Sequence, residues 1–441
     1  MKKQSCNILF IALVLCFSFK GISQQVVKSS EVISLALDYN YGIKIATNTV
    51  EIAENNKSIL NTRFLPTLTG NAGVNYNVDN TEVEFANGES TSLNSAESSR
   101  YNASVNLNYT LFDGLGRHYD YKRLKEEYRL SELQARETIE NTIIQLLTVY
   151  YDVARRTENL KSLNETLDIS KDRLLRQEYQ FEYGQNTKLD VLNAVVDINN
   201  DSISIINVKQ SLINAKRDLN FVTGNTIKRE FTVDTTITFL LQLNKQDLLN
   251  KLYDNNVVLL QNEKNIVINE FTLKANKSGY LPTIGLTGTY GWNKNNNNAA
   301  SFVAVSSNTG MSAGLNLSWN LFDGGGTITR VRNAEINLEN QKLQKELLKL
   351  DIERNFNNAW DDYQNKLRIF QVQENNIETA KNNFSRTEEK FKLGQVTSIE
   401  FRQAQFNLLT AELSRNQAKY DAKLAEVLTL QISGELLNIQ F

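Results

Sequence analysis

Leu111-Phe112-Asp113-Gly114 recurs as Leu321-Phe322-Asp323-Gly324, 210 residues further along the chain. The same offset carries Phe181-Glu182-Tyr183-Gly184-Gln185 onto Phe391-Lys392-Leu393-Gly394-Gln395, and Thr223-Gly224 onto Ser433-Gly434. No insertion is needed over more than a hundred residues. Upstream, Leu65-Pro66-Thr67 recurs as Leu281-Pro282-Thr283 at a slightly different offset, so the variable part lies between these anchors. The chain's two prolines, Pro66 and Pro282, therefore occupy equivalent places. Internal repetition on this scale decides the architecture before any local reading does. The chain is one half, used twice.

Each half reads helix, strand, strand, long helix, helix. Neither Arg117 to Tyr183 nor Thr327 to Leu393 contains a Gly or Pro. In the first stretch Ile139, Leu146, Val153, Leu160, Leu167, Leu174 and Phe181 are spaced by seven. In the second, Phe356, Tyr363, Phe370, Ile377, Phe384 and Phe391 keep that spacing. A strict seven-residue repeat implies helices supercoiled left-handedly against neighbours. At 1.5 Å per residue each stretch should span about 100 Å. The shorter stretches, Gln185 to Thr223 and Glu31 to Arg63, come to about 58 and 50 Å. Stacked end to end, these two match one long helix; Gln246 to Ser278 and Gln395 to Ser433 do the same in the second half.

The intervening segments alternate with period two. Leu68, Ala72, Val74, Tyr76 and Val78 fall on even numbers, with Thr69, Asn71, Asn75 and Asn77 between. Ala103, Val105, Leu107, Tyr109 and Leu111 fall on odd numbers. Ile284, Leu286, Tyr290 and Trp292, then Met311, Ala313, Leu315, Leu317, Trp319 and Leu321, repeat the pattern. Such segments, about ten residues long with aromatics near their ends, suit membrane-barrel strands; alternation alone fits a half-buried soluble sheet as well. We expect strands at about 67–78, 101–112, 283–293 and 311–322, with Asp79–Arg100 and Lys294–Gly310 as exposed loops. Four strands cannot close a barrel, and open edges in lipid cost several kcal/mol per unsatisfied group. Chains would have to share one.

Composition narrows the function. Among 441 residues, Lys plus Arg number 48 and Asp plus Glu 50, a net charge of −2, so there is no electrostatic footprint for nucleic acid. One histidine, His118, leaves no room for a His-based metal or acid/base cluster. Both cysteines, Cys6 and Cys16, lie in a leader (1–23) with Lys2 and Lys3, an apolar run from Ile8 to Phe19, and small Gly21 and Ser23. That is a signal peptide. Leu15 stands where a small residue should precede a lipidated cysteine, which argues against a lipoprotein. No cofactor is implied. Gly324-Gly325-Gly326 could mimic an anion-binding turn but lacks the lysine of a phosphate loop; a hinge between strand and helix suits it better, and no nucleophile–base constellation makes an enzyme.

The ordered, duplicated motifs make the chain resemble the TolC family of outer-membrane efflux proteins over essentially its whole mature length. They are the Leu-Pro-Thr entries, the Leu-Phe-Asp-Gly exits and Val149-Tyr150-Tyr151-Asp152. The turns at Tyr183-Gly184 and Leu393-Gly394, with Thr187/Thr397 and Asp190/Glu400, belong to the same set, as do the helix ends at Gly224 and Gly434. The resemblance implies a homotrimer whose twelve strands close one barrel, continued by a coiled-coil α-barrel through the periplasm. It implies a passive channel that serves an inner-membrane transporter and a periplasmic adaptor in efflux or type I secretion. Residues 24–224 and 246–441 would be the two repeats, and 225–245 an equatorial connection. Pro66, Pro282, Gly114 and Gly324 would mark transitions between barrel and helix. A periplasmic coiled-coil or adhesin-like protein is the alternative from another class.

For the turns, glycine is explained by a helix end needing φ > 0, and the resemblance adds adaptor contact at Gly184 and Gly394. Asp190 and Glu400 match acids that narrow the pore in relatives; the simpler account is interaction with the helix dipole. Some relatives latch the tip with a Tyr and an Arg, where this chain has Phe391 and Val396, and carry a second acid where it has Gln403. Closure is therefore expected from apolar packing of Phe181 and Phe391.

Overall fold

The protein is described by a computed structural model over residues 25–227, 230–240 and 243–439. The leader at 1–23 lies outside the described residues. In chain order the first half contains β1 (Gln25–Val27), α1 (Ser29–Tyr39), α2 (Tyr41–Asn56), β2 (Thr67–Glu84), β3 (Ser90–Phe112), α3 (Gly116–Glu182) and α4 (Lys188–Val222). After β4 (Phe231–Val233) come α5 (Lys245–Asn255), α6 (Val257–Lys277), β5 (Thr283–Asn296), β6 (Val305–Ser318), α7 (Gly326–Lys392) and α8 (Ser398–Ile432). Two units are compact in themselves. Among the described residues, one is 25–46 with 136–257 and 350–439; the other is Thr47–Ala135 with Val258–Lys349. Each draws on both halves, so compactness and duplication divide the chain differently.

The second unit holds an antiparallel sheet in the order β2-β3-β5-β6, the two hairpins joined through β3 and β5. One face is apolar and exposed in the single chain: Leu68 is 70% exposed, Tyr290 59% and Met311 81%. The segments expected as loops are largely strand. β2 and β3 stay paired from Thr67↔Asn108 out to Glu84↔Ser90, with one bulge at Asp79/Thr81. Asn296↔Val305 likewise carries the second hairpin well into 294–310. Polar side chains do not stop a ladder made by backbone groups, so hydrophilicity alone was a poor loop signal. β6 ends at Ser318 rather than near 322. Its partner there, Thr283, follows Pro282, which has no N–H to extend the ladder.

The first unit is helical, with the short parallel pair β1–β4 set into its core. That core gathers Val27, Leu146, Tyr150, Val153, Leu219, Phe231 and Tyr420. The Tyr150 hydroxyl donates to Val27 O at 3.0 Å and Asp234 O at 3.2 Å, and burial pushes its pKa upward. The seven-spaced residues Leu146, Val153, Phe356, Tyr363, Phe384 and Phe391 are buried, and Leu160, Leu167 and Leu174 half-buried.

The helices expected at Glu31–Arg63 and Gln246–Ser278 are each broken, at Asn40 and Asn256. Both asparagines adopt extended backbone and donate their amide to the end of a neighbouring helix, Val222 O at 2.8 Å and Ile432 O at 2.9 Å. Next to them the chain needs glycine. A Cβ on Gly224 (φ +71°) would lie 2.6 Å from Tyr39 O, and one on Gly434 (φ +74°) 2.5 Å from the Asn255 carbonyl.

Candidate functional site

The turns after α3 and α7 are built alike, from backbone upward. Gly184 and Gly394 have φ of +72° and +74°. The following Gln185 and Gln395 donate their N–H to Gln180 O and Lys390 O, 2.7 and 2.9 Å, and so close a Schellman turn. Thr187 and Thr397 then cap α4 and α8. Each hydroxyl accepts from the backbone three residues on, and the acid at that position returns a bond to the cap N–H. Thr187 N to Asp190 Oδ2 is 3.2 Å, and Thr397 N to Glu400 Oε2 is 2.7 Å. The Thr397 N–H and hydroxyl hold the Glu400 carboxyl below its ordinary range. In the single chain both acids complete capping boxes, the local role that needs no pore.

The two turns lie beside one another, since Arg176 of α3 donates to Lys392 O at the end of α7 (3.2 Å). A cleft of about 770 Å³ between them is lined by Arg173, Arg176, Tyr179, Tyr183, Phe391 and Leu393, among others. Phe391 is buried and stacked on Phe401 with centroids 4.5 Å apart, whereas Phe181 is 42% exposed beneath the Lys188 ammonium. Within one chain these two phenylalanines have different environments and are not a pair.

A buried ionic joint backs the turns, and sequence reasoning missed it. Arg402 of α8 makes a two-pronged contact with Asp201 of α4, 2.7 and 2.9 Å. Ser170 of α3 donates to the same carboxylate at 2.6 Å, and Gln405 donates to Ser170 Oγ and Thr166 O. Arg173, almost fully buried, pairs with Asp197, and its Nε has no partner among the described residues. Burial works against the Arg402 charge, yet Asp201 and Asp197 hold its pKa above the usual value. The signal was present: Val191, Ala194, Asp201 and Ile205 are buried at helical spacing, so an acid stood in a core phase.

Where strand passes to helix, Asp113 and Asp323 explain the repeated motif better than its glycine alone. Asp113 Oδ2 accepts from Arg117 N (3.0 Å) and Asp323 Oδ2 from Thr327 N (2.8 Å), each capping a long helix. Gly114 and Gly324 both have φ +68°. At Gly114 a Cβ would also lie 2.6 Å from Ser278 O, while Gly324 has open space. Pro66 and Pro282 each stand one residue before a strand. Among the described residues, no cluster of His, Cys, Asp or Glu is placed to hold a metal ion, and no helix is long and apolar enough to cross a membrane.

Comparison with known proteins adds a family. A family model described as outer membrane efflux protein matches residues 32–225 and 248–435. The outer membrane efflux protein BepC of Brucella suis biovar 1 (strain 1330) is 21% identical over 402 residues, covering 88% of this chain and 81% of the relative. The outer membrane protein TolC of Vibrio cholerae serotype O1 (strain ATCC 39315 / El Tor Inaba N16961) is 22% identical over 319 residues, 71% of this chain and 72% of the relative. In fold, the chain is similar to the Campylobacter jejuni CmeC outer membrane channel. The TM-score is 0.77 at 16% identity, covering 92% of this chain and 86% of that one.

Proposed function

The chain belongs to the outer membrane efflux protein family, and we propose that it acts as a passive outer-membrane conduit closed by three copies of itself. It is an outer-membrane efflux protein, of a family of channels rather than enzymes. The finer reading is that each copy lends four strands to a twelve-stranded barrel, while the helical unit forms the periplasmic tunnel. An inner-membrane transporter supplies the energy and a periplasmic adaptor joins the two.

The observation that carries this reading is the open sheet. Among the described residues, β2 and β6 each have an outer edge without a partner strand. The sheet's apolar face, with Leu68, Val74, Tyr290, Met311, Leu315 and Leu317 mostly exposed, is unsuited to water and suited to lipid. A coiled-coil rod or an adhesin has no need of such a face.

In the helical unit, the turns at Gly184 and Gly394 are the proposed adaptor contact, and Asp190 and Glu400 the proposed acids of the pore mouth. Six carboxylates around one axis would attract cations. In planar bilayers under a salt gradient, the wild type is expected to be cation-selective near pH 7. Asp190→Asn with Glu400→Gln should remove most of that preference and leave the oligomer intact. Unchanged reversal potentials in the double variant would mean that these acids only cap their helices.

A further inference from the structure

The polar face of the sheet can be followed in rows across all four strands. From the row Thr67–Asn108–Thr287–Gly314 to the row of Gly73 and Asn102, four successive rows contain only Asn, Thr, Ser and Gly. The next row outward is Asn75–Arg100–Asn295–Ser306. Arg100 carries the only charge on the polar face of these five rows. It lies about 40 Å along the strand from Phe112, or roughly 29 Å of height at a ~45° tilt. An apolar band of about 25 Å then ends close to its level.

Its side chain is oriented, not trailing. Arg100 Nε donates to Asn295 Oδ1 at 3.0 Å, and Asn295 Nδ2 donates to Ser306 Oγ at 3.2 Å, a chain of bonds across three strands. Ser306 thereby fixes which end of the Asn295 amide faces the guanidinium. Among the described residues, Arg100 has no ion-pair partner. The next charge on this face is Asp79, four residues beyond Asn75 on β2, or about 13 Å, more than a Debye length at physiological salt.

We propose that Arg100 is a specificity-determining residue of the conduit. Three copies would form a cationic ring at the outer end of four uncharged rows of the lumen, inward of Asp79, and favour exit of solutes bearing phosphate or carboxylate groups. Asn295 is the positioning residue that keeps each guanidinium against the wall. The inference rests on the trimeric-channel reading and deepens it. A ring of fixed charge lining a water-filled pore acts on every ion that passes it, so its effect on permeating ions exceeds that of a surface arginine.

The test uses the full-length protein in planar bilayers, with Arg100→Gln, Arg100→Glu and Asn295→Ala compared with wild type in the Asp190→Asn/Glu400→Gln background, which removes the tip acids. Arg100→Gln should shift the reversal potential toward cations, Arg100→Glu further, and Asn295→Ala part of the way. Inorganic pyrophosphate added on the hairpin side should block the parent channel at a concentration at least tenfold lower than it needs for Arg100→Gln. Equal reversal potentials and equal block in the parent and Arg100→Glu channels would overturn the role of Arg100 and leave the channel reading standing. A chain that reconstitutes without any conductance would overturn both. Oligomer mass and helical circular dichroism, measured on every variant, show that each is folded, and Arg100→Gln keeps the test open if Arg100→Glu does not assemble.

Discussion

Arg402 and Asp201 meet through two hydrogen bonds, with the arginine side chain 20% exposed and the aspartate 7%. Removing one partner of a buried pair leaves the other charged and unpaired, at a cost of about 3–5 kcal/mol. Arg402→Met alone should therefore lower the melting temperature clearly, and Arg402→Met with Asp201→Leu much less. Measured melting curves in detergent would check the order of the three proteins. Glu400 makes a different, pH-dependent prediction. Its folded pKa is lowered, so its contribution is complete above the ordinary value of 4.5 and is lost as pH falls through the lowered one. The difference in melting temperature between wild type and Glu400→Gln should accordingly be present at pH 6 and close in acid. Of these residues, Glu400 was legible because it stands three positions after a threonine at a helix start. The pairing of Arg402 with Asp201 was not, because it joins α8 to α4 across 201 residues of chain; only the place of Asp201 in a core phase of α4 is a local pattern.

Two glycines with nearly the same backbone angle should respond differently to alanine. Gly184 (φ +72°) has open space around it, so Gly184→Ala costs only the left-handed conformation, about 1–2 kcal/mol. Gly434 (φ +74°) would add a Cβ 2.5 Å from the backbone of Asn255, and the overpacking should cost roughly 1–3 kcal/mol more. Comparing the two melting temperatures tests whether helix-end docking at Asn256 is as tight as drawn. The long helices and the strands could be read from periods of seven and two, which depend on one element at a time. The breaks at Asn40 and Asn256 could not, because an asparagine is acceptable in a helix until a neighbouring helix end offers its amide a better acceptor. The hairpins were read short for the opposite reason: polarity suggested loops where backbone pairing continued.

The apolar face of the sheet, with two free edges, predicts association. In detergent the mass of the protein by light scattering should correspond to three chains, with circular dichroism dominated by helix; a stable monomer would end the shared-barrel argument. Outer-membrane placement and efflux were legible through the family resemblance, which duplication, alternation and turn chemistry carried together. The register that sets Arg100 beside Asn295 was not, since it depends on pairing between strands about 190 residues apart.

The two halves also differ in where they have gained and lost residues. Pro66 and Pro282 are offset by 216, while every anchor from Leu111 onward is offset by 210, so the six-residue difference falls within the hairpins. The helices α3 and α7 have each kept 67 residues. One residue inserted into such a helix turns everything beyond it by about 100° and advances it 1.5 Å, so each seam residue past that point would leave its groove. A hairpin tip can lengthen without disturbing the pairs below it. Deletion and insertion scanning should therefore find the tips of β2–β3 and β5–β6 permissive, and should find α3 and α7 tolerant only of changes by whole multiples of seven residues that are matched in the helices packed against them, α4 and α8 among these.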